Sequence, residues 1–129
     1  MFLFLLGLIV GFVEQKFANM RMGLAAHLEG VMNGIFLIAL GAIWTDINLS
    51  HGLKAAMYWS ALCGTYGNWA ITTLAAIFGT AALSPLTGIG HRGLPWQENI
   101  VTFGFVSLGI AIVVASILAL WGLRKNAAS

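Results

Sequence analysis

His27, Glu29 and Asn33 are the first residues of this chain whose types and spacing could do chemistry. They lie in residues 25–34, AAHLEGVMNG, at the head of an apolar run that continues to Trp44. Histidine can ligate a metal or exchange a proton near neutral pH. A carboxylate can act as general acid or base, and an amide can orient a substrate. On a helix, Gly30 falls about 60° from His27, Gly34 about 20° and Gly41 about 40°. The histidine therefore heads a stripe of bare backbone that would admit a flat ligand, and haem, whose iron takes neutral imidazole, has that shape. The commoner reading of a lone helical histidine is a hydrogen-bonded structural residue. Asn33 lies about 120° from His27, and Glu29 about 160° from His27 but only about 40° from Asn33. Glu29 has a bland alternative too, an ion pair with Arg21 or Lys16.

Histidine supply narrows the haem idea. His51 and His91 fall in linkers on opposite sides of the apolar runs, so neither can face His27 across one porphyrin within a chain. A bis-histidine electron carrier is disfavoured, and an iron with an open position would be a Lewis acid or a ligand-binding centre.

A second polar set occupies a later apolar run. Thr65, Asn68 and Thr72, spaced by three and four, share one helix face, with Tyr66 and Thr73 on another. Threonines in such helices usually bond their own backbone four residues back. A primary amide among apolar residues needs a partner, so Asn68 points to a polar pocket shared with His27, Glu29 and Asn33. Gln97 and Glu98 read as an ordinary acidic first turn of the last helix. Phosphate loop, nucleophile elbow, cysteine metal motif and HExxH are all missing from the sequence.

These groups must be held by very apolar elements. The 129 residues are 60% hydrophobic and 8% charged, with mean hydropathy +0.92, whereas soluble domains carry about 25% charged residues. The expectation is an all-α integral membrane protein, a single domain over 1–129, built as a bundle of four transmembrane helices at about 2–17, 23–44, 53–83 and 97–123. The first is short for a span, and no basic start or small-residue cleavage pattern marks it as a signal peptide. Trp44, Trp96 and Trp121 stand where interfacial aromatics belong. Gly7 with Gly11, and Gly30 with Gly34, are GxxxG pairs that let helices approach closely. Six basic residues, spread over the linkers, split three against three between the two sides and give no orientation. They form no cluster suited to nucleic acid. Cys63, the single cysteine, reads as a small buried filler.

The stretches MRMGLAAHLEGVMNG (20–34), GTYGNW (64–69) and IFGTAALSPLTGIGH (77–91) followed by WQE closely resemble the hydroxylaminobenzene mutase family along nearly the whole chain. More distantly, His-x5-Asn-Gly, here His27, Asn33 and Gly34, resembles styrene oxide isomerase. The resemblance implies an isomerase that converts hydroxylaminobenzene to 2-aminophenol, as a multi-pass homotrimer in the bacterial cell membrane, within aromatic-compound degradation. It further implies ferric haem b as a Lewis acid, with His27 as axial iron ligand and Gly30 and Gly34 lining the cofactor. Asn33 and Asn68 would orient the substrate. Thr72 stands where the isomerase has a pocket tyrosine, and Glu29 where it has a small residue, so both are further catalytic candidates. Tyr66 is a poor substitute for that tyrosine, since it points about 160° from Asn68. Two other readings stay open on residues alone. A small transporter or channel subunit would use Glu29 as its coupling carboxylate. A glutathione-using four-span enzyme would want arginines inside its helices, and this chain has none there.

Overall fold

The computed structural model describes residues 1–124 and contains four α-helices in chain order. They are α1, Phe2–Val13; α2, Met20–Ala42; α3, His51–Phe78; and α4, Pro95–Arg124. No strand occurs among the described residues. Lys125, which the sequence places just beyond the last helix, lies outside them.

Local chemistry sets the boundaries. The first helix stops at Val13 and passes into a short 3-10 helix, Glu14–Lys16, several residues before the expected end. Twelve residues make α1 about 18 Å long. α2 begins at Asn19, whose side-chain oxygen accepts from the Met22 backbone N–H at 3.1 Å and caps the helix. α3 ends earlier than the expected 83, because Gly79 adopts φ 68° and ψ 36° and its N–H returns to the Ala75 carbonyl. Glycine takes that left-handed conformation without the strain a side chain would bring. α4 opens on Pro95, which gives up no helical hydrogen bond at the first position. The Gln97 side chain reaches back to the Leu94 N–H at 2.8 Å.

α2 and α4 are long and apolar enough to cross a membrane. α1 is shorter than the hydrocarbon thickness. α3 has the length, but Lys54, Ser60 and its threonines and asparagine dilute its hydropathy.

Each helix packs on its neighbour in sequence: α1 on α2, α2 on α3, and α3 on α4. α2 and α3, each with two neighbours, are therefore the central elements. One apolar cluster joins Leu40, Met57, Ala61 and Ala115 at one end, and another joins Met22, Ile71, Ala75 and Val101 at the other. α1 meets α2 through glycine. A Cβ on Gly7 would fall 2.6 Å from the Val31 nitrogen, and one on Gly34 would fall 2.6 Å from the Phe4 nitrogen. Both GxxxG pairs are thus used inside the chain, between α1 and α2. Large apolar side chains face outward on every helix, among them Phe12, Met32, Trp59, Phe103, Ile110 and Leu120. Exposed apolar area on that scale marks contact with lipid or another chain. Cys63, expected to be buried, lies on this outer surface of α3. Its helix face, rather than its local hydrophobicity, decides its exposure.

Candidate active site

A cavity of about 410 Å³ opens between α2 and α4, over one face of α3. Met22, Ala25 and Glu29 line it from α2, Thr72 from α3 and Phe105 from α4, and residues 83–87 close one side. Its walls are mostly apolar, with Glu29, Thr72, Ser84 and Thr87 as the polar groups. An open pocket at the lower end of small-molecule pocket sizes, with few convergent polar groups, suits a one-ring ligand.

The Glu29 carboxylate is the one ionisable side chain among the described residues of that wall. Its Oε2 accepts from the Asn68 side-chain amide at 3.0 Å and from the Thr72 hydroxyl at 2.6 Å. Oε1 has no hydrogen-bond partner among the described residues. The i to i+4 spacing of Asn68 and Thr72 puts both on the α3 face that meets Glu29. Thr72 is also within 2.9 Å of the Asn68 backbone carbonyl. No ion pair joins Glu29 to Arg21 or Lys16 among the described residues, and both basic residues are exposed. The ion-pair alternative is replaced by hydrogen bonds to two neutral groups.

His27 leaves α2 on the other side. Its Nδ1 lies 2.8 Å from the Gly7 carbonyl. A carbonyl only accepts, so Nδ1 carries the hydrogen and Nε2 keeps its lone pair. The ring packs over Gly11, where a Cβ would fall 2.6 Å from Nδ1. Around it runs a groove of about 350 Å³ lined by Leu8, Gly11, Phe12, Glu14 and Leu24. His27 and Glu29 thus open onto separate spaces within one chain, one on the α1 side of α2 and one on the α3 side.

The remaining predicted residues divide between these two faces. Asn33 donates to the Thr65 backbone carbonyl at 3.3 Å and ties α2 to α3, without lining the cavity. Gly30 and Gly34 are buried against α1 at Gly7 and Phe4, so α1 occupies the bare backbone that could otherwise take a flat ligand. The threonine expectation holds: Thr65, Thr72 and Thr73 each bond the carbonyl four residues back. Only Thr72 also reaches another helix.

The chain matches the family model described as styrene oxide isomerase over residues 1–124. It belongs to the styrene oxide isomerase family. Hydroxylaminobenzene mutase HabB of Ectopseudomonas oleovorans is 45% identical over 124 residues, 95% of this chain and 76% of that protein. Hydroxylaminobenzene mutase HabA of the same organism is 40% identical over 124 residues, 95% of this chain and 92% of that protein. No solved structure matches the chain significantly. Membership of this family, with relatives that are mutases, makes the chain an enzyme of the isomerase and mutase class.

For this family member, sequence reasoning missed the residues that shape the cavity. Asn19, fully buried, donates from Nδ2 to the Thr87 carbonyl at 2.7 Å while capping α2. Glu98, read as a dipole-compensating acid, accepts backbone N–H groups from residues 81, 82 and 93. A cap signal was visible at each position, as an asparagine before an apolar run and an acid in a first turn. The long-range partners depend on how the 79–94 connection folds back, which no local pattern encodes.

Proposed function

We propose that this protein is a membrane isomerase converting hydroxylaminobenzene to 2-aminophenol by moving the hydroxyl from nitrogen to the ortho ring carbon. The observation that carries the reading is the Glu29 carboxylate, with Oε2 held by Asn68 and Thr72 and Oε1 free, in the wall of an apolar cavity of one-ring size. The two mutase relatives supply the reaction class.

The isomerisation breaks one N–O bond, forms one C–O bond, and moves one proton from the ortho carbon to nitrogen. A single carboxylate suffices for that proton. Glu29 Oε1 takes it as the ring regains aromaticity and returns it to nitrogen, so no net acid or base is consumed. Thr72 makes both charge states tenable. With Glu29 ionised, the Thr72 hydroxyl donates to Oε2. With Glu29 protonated on Oε1, Oε2 remains an acceptor and keeps both its donors, Thr72 and Asn68. Asn68 holds the carboxylate in plane, and Asn33 keeps α2 in register with α3. The apolar walls receive the ring.

Haem b belongs to the same proposal, at His27. The fit rests on the imidazole: Gly7 fixes its tautomer and leaves Nε2 for a metal, as hydrogen-bonded metal-ligating histidines require. No cluster of three His, Cys, Asp or Glu side chains able to hold a bare ion occurs among the described residues, and a macrocycle brings its own equatorial ligands. Ferric haem would supply Lewis acidity to the N–O cleavage. Because His27 and Glu29 open onto separate spaces, we further propose a homotrimer in which one copy covers the His27 groove of the next. Four membrane-crossing helices in the bacterial inner membrane complete the proposal. It is supported by outward apolar residues on all four helices and by an apolar substrate that partitions into lipid.

The test is 2-aminophenol formation from hydroxylaminobenzene by purified protein, with an absorbance spectrum of the same sample. Absence of turnover overturns the mutase reading. Turnover by protein without a Soret band overturns the haem reading alone. A transport function with Glu29 as coupling carboxylate would require substrate-driven flux without isomerisation.

A further inference from the structure

We propose that Glu98 is a positioning residue that clamps the α3–α4 connection and so sets the specificity-determining wall of the cavity at residues 83–87. The inference rests on the proposed reaction only where it treats that wall as facing substrate.

Glu98 stands in the first turn of α4 and does not itself line the cavity. Its carboxylate gathers backbone N–H groups from both ends of the connection. Ala81 donates to Oε1 at 3.0 Å and to Oε2 at 3.2 Å, and Ala82 donates to Oε2 at 2.7 Å. Gly93, at the far end, donates to Oε1 at 2.7 Å. One side chain therefore pins segment 83–92 at its two roots, through hydrogen bonds to a charged acceptor, the stronger kind.

Leu83 follows directly after the clamped pair and has φ 53°. A leucine in the left-handed region is strained, and persists only where its surroundings dictate the backbone. Leu83 is also a cavity residue. The strained position and the clamp thus adjoin at the point where the chain turns to form the wall.

The opposite end of the wall is held from α2. Asn19 donates to the Thr87 carbonyl at 2.7 Å, and the Gly88 N–H closes a turn onto Ser84 at 2.7 Å. A Cβ on Gly88 would fall 2.7 Å from the Ala81 Cα, so the connection packs tightly on its own root. Held at both ends, the wall brings Leu83, Pro85 and Leu86 into the lining of the cavity that Glu29 and Thr72 also line, with Leu83 and Leu86 partly exposed at its mouth. A fixed surface there selects among ring substituents, and Glu98 acts on that selection through the backbone.

The experiment compares the full-length protein with Glu98→Ala, Glu98→Gln and Leu86→Ala. In Glu98→Ala, hydrogen exchange at amides 81, 82 and 93 should accelerate while exchange in α2 and α3 stays as in the unsubstituted protein. The kcat/KM ratio between hydroxylaminobenzene and its 4-methyl analogue should change about tenfold, the discrimination a misfit methylene is worth in an apolar pocket. Glu98→Gln, which keeps one carbonyl acceptor, should fall between and serves if the alanine variant does not fold. Leu86→Ala should shift the same ratio with exchange at 81, 82 and 93 unchanged. Unaltered exchange in the Glu98 variants overturns the clamp. Faster exchange with an unaltered ratio overturns the specificity role. If the unsubstituted protein makes no 2-aminophenol, the mutase reading fails, and the exchange comparison still decides the clamp.

Discussion

The Thr72 hydroxyl lies 2.6 Å from Glu29 Oε2 and has the Asn68 carbonyl as a second acceptor at 2.9 Å. Oε2 accepts from Thr72 and Asn68 in either charge state, so Oε1 can gain or lose a proton with those contacts kept. A carboxyl that kept only one charge state would fix the cluster as structure. In the proposed reaction, Oε1 is the oxygen that carries the proton.

Glu29→Gln should abolish the proton transfer while preserving size and the hydrogen bond from Asn68. We expect kcat for 2-aminophenol formation to fall by about 10²- to 10⁴-fold, the usual contribution of a positioned acid–base group, with KM near its original value. A variant with undiminished kcat would remove Glu29 from the chemistry.

Thr72→Ser and Thr72→Val separate the hydroxyl from the packing. Serine keeps the donor and should retain most activity. Valine fills the same space but strips a hydrogen bond from the carboxylate, and kcat should drop at least about tenfold, or ~1.4 kcal/mol in the barrier. Equal activity of the two variants would reduce Thr72 to a core residue.

His27→Ala is expected to lose both the Soret absorbance and turnover, whereas Glu29→Gln should lose turnover and keep the absorbance. Co-expressing these two inactive variants then asks whether the groove of one copy and the cavity of another serve one substrate. Recovery of activity in the mixed assembly is the outcome a shared site demands. Spectra and turnover left intact by His27→Ala would assign the histidine to helix packing alone.

Glycine substitutions report on the α1–α2 contact. In Gly30→Ala the new methyl meets the Gly7 backbone and comes within 2.9 Å of the Trp69 ring. Overpacking of that kind costs about 1–3 kcal/mol, readable as a lower unfolding temperature in detergent. Gly41→Ala, with nothing within 4 Å of the added carbon, should be neutral or stabilising by about 0.5–1 kcal/mol through helix propensity. Similar behaviour of the two variants would contradict the close approach of α1 and α2.

By itself, the sequence determined the helical class, the four elements and the sharing of one face by Thr65, Asn68 and Thr72. Helical periodicity and hydropathy are local properties that a linear chain carries in full. It also separated His27 from Glu29 by angle, which the structure turns into two distinct spaces. Tertiary structure alone decided what each face meets. α1 lies on the stripe at Gly30 and Gly34, α3 brings Asn68 and Thr72 to Glu29, and the connection after Gly79, held by Asn19 and Glu98, folds back to form one side of the cavity. Those contacts join residues dozens of positions apart, and helix-to-helix packing selects them through shape and hydrogen bonding that no single helix contains.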